Sequence, residues 1–218
     1  MARPPLTRDA VVAAAIALAG EDGLDRLSMR RLGERLGVEA MSLYHHVRGK
    51  PALLDAMVDA VFAEIDLPRP GEPLRDGLRR RAVSQRAVLH RHRWALGLLE
   101  SRSHPGPATL EHHDAVLGFL YAAGWGSAPV GHAYALLDAY VYGFVLQEQQ
   151  LPIEPATAGE TAAAMVASQP DLELPHLARF VAEVVARPGY DFAAEFEVGL
   201  ALVLDAVTSL APSAATGA

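Results

Sequence analysis

No cysteine occurs among the 218 residues, which removes disulfides, thiolate chemistry and cysteine-based zinc sites together. Lysine is nearly absent too: Lys50 stands alone against eighteen arginines. No apolar run is long enough to span a bilayer, because stretches such as Ala10–Ala19 are short and bounded by charge. Met1–Arg8 leads into an Ala-rich segment ending in Gly20-Glu21-Asp22-Gly23 rather than in a cleavage site, so a cytoplasmic location is expected. Strand-like alternation is missing as well, and Ala, Leu, Arg and Glu dominate, which points to an all-α fold. Also absent are His-Glu-x-x-His, a Gly-rich phosphate loop and a Gly-x-Ser-x-Gly elbow. Nine histidines invite a metal site, but His90 and His92 are two apart on one helix and His112 and His113 are adjacent, so neither pair converges on one ion. No metal and no cofactor are expected.

What is present suits a folded chain of one or two domains: 51% apolar and 21% charged residues. The formal net charge of −7 disfavours a polyanion partner only if it is spread evenly, and it is not. Residues 1–50 carry a balance of +2, with His45 and His46 uncounted, whereas residues 51–218 carry −9. The head can meet a polyanion while the remainder keeps the chain soluble.

Periodicity and breakers give helices near 7–21, 28–36, 39–47, 50–66, 72–93, 94–102, 107–123, 127–149, 174–186 and 190–211. The proline-rich stretch Leu151–Pro175 reads as a mobile loop holding one short helix at Glu160–Ala167, and Ala211–Ala218 as a fraying end. The domain division expected is 1–50 for the head, with the linking helix at 50–66 leading into a helical domain over 51–218.

In the head, Ser28 is placed to cap a helix whose Leu32 and Leu36 share a face, and Gly37 supplies the left-handed residue that ends it. Gly33 leaves room for a second helix to cross, on which Leu43 and Val47 recur at i, i+4. Val11, Ala14, Ala15 and Leu18 offer the third helix that this small core needs, with Leu24 and Leu27. Two short helices with a glycine turn match a helix-turn-helix, though also a plain helical hairpin. With Leu43 and Val47 inward, a 100° step turns Met41, Tyr44 and His45 outward and leaves Ser42 at the margin. Such a face can contact base edges in a major groove. Arg30 and Arg31, near the start of the preceding helix, and Lys50, at the start of the following one, are candidate phosphate contacts. The bland alternatives are solvated arginines and a Tyr44–His45 pair packed on a neighbouring helix.

Arg30-Arg31-Leu32-Gly33-Glu34-Arg35-Leu36-Gly37-Val38, then Ser42-Leu43-Tyr44-His45-His46-Val47-Arg48-Gly49-Lys50 and Leu53-Leu54-Asp55-Ala56, carry a resemblance. Leu6–Ile65 is similar to the DNA-binding domain of the tetracycline-repressor (TetR) family. The resemblance implies that Ala40–His46 is the recognition helix, that Ser28, Arg30 and Tyr44 sit near phosphates or base edges, and that Lys50 clamps the backbone. Ala40 and Met41 occupy places where drug-sensing members often carry Gln and Pro, so no operator sequence carries over. Gly143-Phe144-Val145-Leu146-Gln147-Glu148-Gln149 resembles a long-helix segment of the tetracycline repressors themselves. The resemblance therefore implies a ligand-responsive repressor, a homodimer through helices near 127–149 and 190–211, and an inverted-repeat operator in double-stranded DNA.

The small-molecule effector is unknown from sequence. Trp94, Leu98, His104, Phe119, Tyr134, Asp138 and Tyr142 are candidates to line one cavity between helices, with core or dimer packing the alternative for each. Asp138, on an otherwise apolar helix, demands a partner: an arginine, a ligand or the other subunit. The arginines from Arg79 to Arg93 read as a solvated flank or as anion-seeking groups. Tetracycline repressors use a histidine just after this region for a magnesium–drug complex. Here Leu98-Leu99-Glu100-Ser101-Arg102-Ser103-His104-Pro105 has that histidine missing or displaced to His104, so this ligand is not carried over. A helical scaffold that does not act on DNA and an enzyme remain the rival readings.

Overall fold

The computed structural model describes residues 5–99, 101–151, 154–169 and 171–210. Among them are eleven α-helices and no strand. α1 (Arg8–Asp22) begins at Thr7, whose Oγ1 accepts the Ala10 N–H at 3.1 Å. α2 (Met29–Leu36) begins at Ser28, whose Oγ accepts the Arg31 N–H at 3.3 Å, and ends at Gly37 with φ 61° and ψ 39°. A Cβ on Gly33 would stand 2.8 Å from the Val38 carbonyl oxygen, so only glycine lets α3 (Ala40–Leu43) approach this closely. α3 is shorter than the helix expected over 39–47. Beyond Leu43 the amides of Tyr44, His45 and His46 bond three residues back, and the winding tightens into turns that reach Val47.

α4 (Gly49–Phe62) stops before the expected residue 66, closed by bonds from Glu64 to Val61 and from Ile65 to Phe62, and Pro51 is its third residue rather than its first. Its first half, through Leu53 and Met57, fills the head core with Val11, Leu18, Leu27, Leu32, Leu43 and Val47. Its second half, through Val58, Val61 and Phe62, enters a separate core in the body. That second core gathers Leu78 and Leu89 of α5 (Leu74–Arg91), Val116 and Leu120 of α7 (Pro107–Ala122), Leu137, Val141 and Val145 of α8 (Ser127–Gln150), and Phe196, Leu200 and Leu204 of α11 (Glu195–Thr208). One helix thus contributes to the head core at one end and to the main body core at the other.

Further along the chain, other expected helices also change length. Over 94–102 there is only α6 (Leu96–Leu99) after a 3₁₀ turn, because Ser101 N bonds back to Leu98 O, and Glu100 lies outside the described residues. α9 (Ala158–Ala167) begins earlier than the helix expected in the proline-rich stretch, of which residues 152, 153 and 170 lie outside the described residues. α10 (Pro175–Phe180) runs into one π turn at Val181–Val185 and, with α9, closes a small core of its own around Ala158, Ala162, Val181 and Val185. α11 starts at Glu195 rather than 190, after a 3₁₀ turn capped by Asp191, and residues from 211 onward lie outside the description.

The arginine run is not a free cationic face. Arg79 pairs with Glu197, Arg80 with Glu72, Arg86 with Glu148 and Arg91 with Glu64, so the run ties α5 to α11, α8 and the end of α4.

Candidate functional site

Turning at 100° per residue, α3 and its trailing turns bury Leu43 and Val47 and leave Met41 73% and Tyr44 47% exposed. His45 is also exposed, while Ala40, Ser42 and His46 are half-buried. Lys50 is exposed in the first turn of α4, and the Tyr44 ring passes within 3.9 Å of where a Gly49 Cβ would sit, so the exposed phenol lies against the turn of α4 that carries Lys50. Arg30 projects into solvent and pairs with Glu34 at 3.1 Å. Arg31 differs from the outward group expected: its guanidinium turns back to Asp22 at 2.5 Å and to the Arg26 carbonyl at 3.2 Å. Ser28 Oγ is occupied as an acceptor by the helix cap. Arg48, exposed beside Lys50, adds a positive charge that the sequence reading passed over, although it stands in the same Arg48-Gly49-Lys50 run.

In the body the candidate ligand residues separate. Trp94 packs on both cores at the junction of head and body. Leu98 and Tyr142 pack on the body core, and Phe119 covers Gly77 at the edge of an apolar cleft under Leu67–Leu74. His104 borders a cavity of about 150 Å³ with Asp55, Arg102, Thr109 and His113. Only Tyr134 and Asp138 meet, through residues that the sequence reading did not select. Asp138 Oδ1 accepts from Arg81 Nη2 at 2.7 Å, and Arg81 Nε reaches His112 Nε2 at 3.2 Å. His113 Nδ1 and the Tyr134 hydroxyl share a hydrogen bond. The signal for this cluster was available: Leu78, Arg81, Ala82, Gln85 and Leu89 fall on one helical stripe, so Arg81 and Gln85 interrupt an apolar face.

Burial, then the Arg81 charge, then His113, push the His112 imidazole down to about 3. The ring is therefore neutral, accepts at Nε2 and carries its proton on Nδ1, which has no acceptor among the described residues; Gln85 Oε1 likewise has no donor. Because the folded pKa lies below the ordinary 6.5, the stabilisation is complete above pH 6.5 and is withdrawn as pH falls toward 3. Urea melts of the parent and His112→Gln are expected to show the parent losing about 2 kcal/mol more between roughly pH 7 and pH 5. Parallel slopes would refute the neutral ring.

The same wall is fastened to α4. Asp59 accepts from the Thr109 N–H at 2.8 Å and its hydroxyl at 3.1 Å, and a Cβ on Gly106 would strike the Asp59 carboxylate at 2.3 Å. Arg102 Nε donates to Asp55 at 2.6 Å. The cavity around His104 and the end of α4 that bears Lys50 are thus joined by one helix.

Residues 67–210 match the model for the tetracyclin repressor-like, C-terminal domain, and residues 11–57 match that for bacterial regulatory proteins of the tetR family. The chain belongs to the TetR family. It is a DNA-binding transcriptional regulator of a class that responds to ligands. The tetracycline repressor protein class A from transposon 1721 of Escherichia coli is 34% identical to this TetR-family chain over 203 residues, 92% of this chain and 89% of that one. An HTH-type transcriptional regulator of Saccharopolyspora erythraea is 42% identical over 147 residues, 67% of this chain and 62%, under two thirds, of that relative. Among solved structures, the Streptomyces coelicolor TetR family protein ActR in complex with actinorhodin is similar at 27% identity and a TM-score of 0.78, over 96% of this chain and all of ActR. No helix of the described residues is long and apolar enough to cross a membrane.

Proposed function

We infer that this TetR-family regulator is a cytoplasmic homodimeric repressor, not an enzyme, that holds an inverted-repeat operator until a small molecule enters the α5–α7–α8 core. Met41, Tyr44 and His45 read base edges, with Ala40, Ser42 and His46 at the margins, while Lys50, Arg30 and Ser28 meet phosphates. Arg31 acts from behind, bracing the start of α2 through Asp22. The observation that carries this reading is the shared exposed end of α3 and α4, where Tyr44 and Lys50 lie together.

Two surfaces support the dimer. On α8, Leu136 and Leu146 are exposed with Ala139 and Gly143 between them, and on α11 Val198 and Leu202 are exposed. The helices pack against each other, so these apolar stripes are suited to a four-helix bundle with a second copy. For the effector, the Nδ1–H of His112 and the Oε1 of Gln85 favour an organic molecule that offers both an acceptor and a donor. Entry past His104 and Arg102 would disturb the Asp55 and Asp59 contacts and tilt α4, carrying the head with it.

The test is a gel-shift titration on DNA sites selected from random sequence. Lys50→Ala is expected to weaken all sequences alike and to reduce the slope of log affinity against log salt by about one. Met41→Ala is expected to change which base is preferred, at a cost of roughly 1–3 kcal/mol at that position. Unchanged binding in both variants would remove this interface from the DNA.

A further inference from the structure

We propose that the junction between head and body is a second small-molecule site, built for a flat aromatic carboxylate. The cleft there has a volume of about 420 Å³, within the range of drug-sized sites. Its head wall is the end of α1 and the turn after it, Gly20 and Gly23–Asp25; its body wall is Arg93, Trp94 and the end of α8 at Gln149. It is separate from the cavity at His104, so it stands or falls independently of the effector reading above.

Three features set the chemistry. Trp94 is wedged against both cores, and its indole N–H is buried with no acceptor among the described residues. The indole itself lines the cleft, and its flat aromatic surface suits a flat ring. Arg93 uses one N–H on the Gln149 carbonyl at 2.8 Å and keeps the rest of its fork for a carboxylate. Arg91 is already committed to Glu64, and Asp25 on the opposite wall repels an anion, so the carboxylate belongs at the Arg93 end with the rings toward Leu24 and Trp94. Occupancy would bridge two separately cored bodies. It would also press on the turn whose flanks, Asp22 and Arg26, hold the Arg31 guanidinium. A ligand there stabilises one setting of the head against the body.

The chain contains two tryptophans, so full-length protein grown with 5-fluorotryptophan gives one fluorine signal from Trp94 and a control from Trp125, which is buried in the body core. The probe is 2-naphthoate, with 2-naphthylmethylamine as the cationic comparison. A saturable shift of the Trp94 signal is expected from the acid and none from the amine, with Trp125 unmoved. Arg93→Ala, at an exposed position, is expected to weaken the acid by about tenfold or more, the scale of one charge-assisted contact. A Cβ on Gly20 meets nothing within 4 Å, so the backbone there admits a side chain, and Gly20→Leu on the cleft wall is expected to abolish the shift while keeping the melting temperature. No saturable shift, an equal response to the amine, or a shift that survives in Gly20→Leu would overturn the proposal; the last would assign the acid to another site acting at a distance.

Discussion

Asp138→Ala is expected to lower the unfolding free energy by about 3–5 kcal/mol, the usual cost of stranding one member of a buried ion pair. Arg81 has a side chain 1% exposed and reaches Asp138 at 2.7 Å, with His112 beside it kept neutral and unable to supply the missing negative charge. Gln85 approaches the same carboxylate only at 3.5 Å, through its amide nitrogen, and so does not replace it. The damage should therefore come from the orphaned guanidinium rather than from a lost volume. Arg81→Met combined with Asp138→Leu is expected to restore most of the stability, since removing both charges leaves nothing to desolvate. Chemical melts of the two single variants and the double variant decide it. A double variant no better than Asp138→Ala would mean that packing, not charge, holds α5 to α8.

The second large effect belongs to the outer face of α11. Leu202 is 66% exposed and Val198 58% exposed, on a helix whose opposite side, Phe196, Leu200 and Leu204, is buried. Leu202→Asp should leave each subunit folded, because the new carboxylate faces water in the isolated chain. In a two-fold dimer it would appear twice across an apolar seam, where ionised groups are costly to desolvate. Sedimentation is expected to shift from dimer to monomer, and operator affinity to fall by about 10²- to 10⁴-fold as two-headed binding is lost. A variant that remains dimeric with full operator affinity would move the interface elsewhere.

The head was readable because its core is local. Leu32, Leu43 and Val47 lie within sixteen residues, at helical spacing, and the glycines at 33 and 37 do what their lack of a Cβ allows. The length of α3 was less readable, since the switch from four-residue to three-residue bonds after Leu43 depends on how the turns meet the start of α4. The ligand candidates dispersed for a different reason. Arg81 is buried where Asp138, 57 residues away, and His112, 31 residues away, converge on it; its place on the apolar stripe sets it apart from Arg79 and Arg80, which point outward to Glu197 and Glu72, but that stripe does not name the distant partners. Asp138 was recognisable as needing a partner, and the partner is an arginine of the same subunit. Trp94 packs against both cores and lines the cleft at their junction, apart from the other ligand candidates.

The division of α4 between two cores bears on how this regulator can be taken apart. Leu53 and Met57 complete the head, so a fragment ending at Lys50 would expose Leu27, Leu32 and Leu43 and is unsuited to stand alone. A hybrid that grafts this head onto a foreign sensor should be spliced between Met57 and Val58, where the last buried side chain serving the DNA-reading unit is followed directly by the first serving the other. At that seam the helical register itself would have to be preserved, because a single inserted residue would rotate every later side chain of α4 by 100° out of its seat.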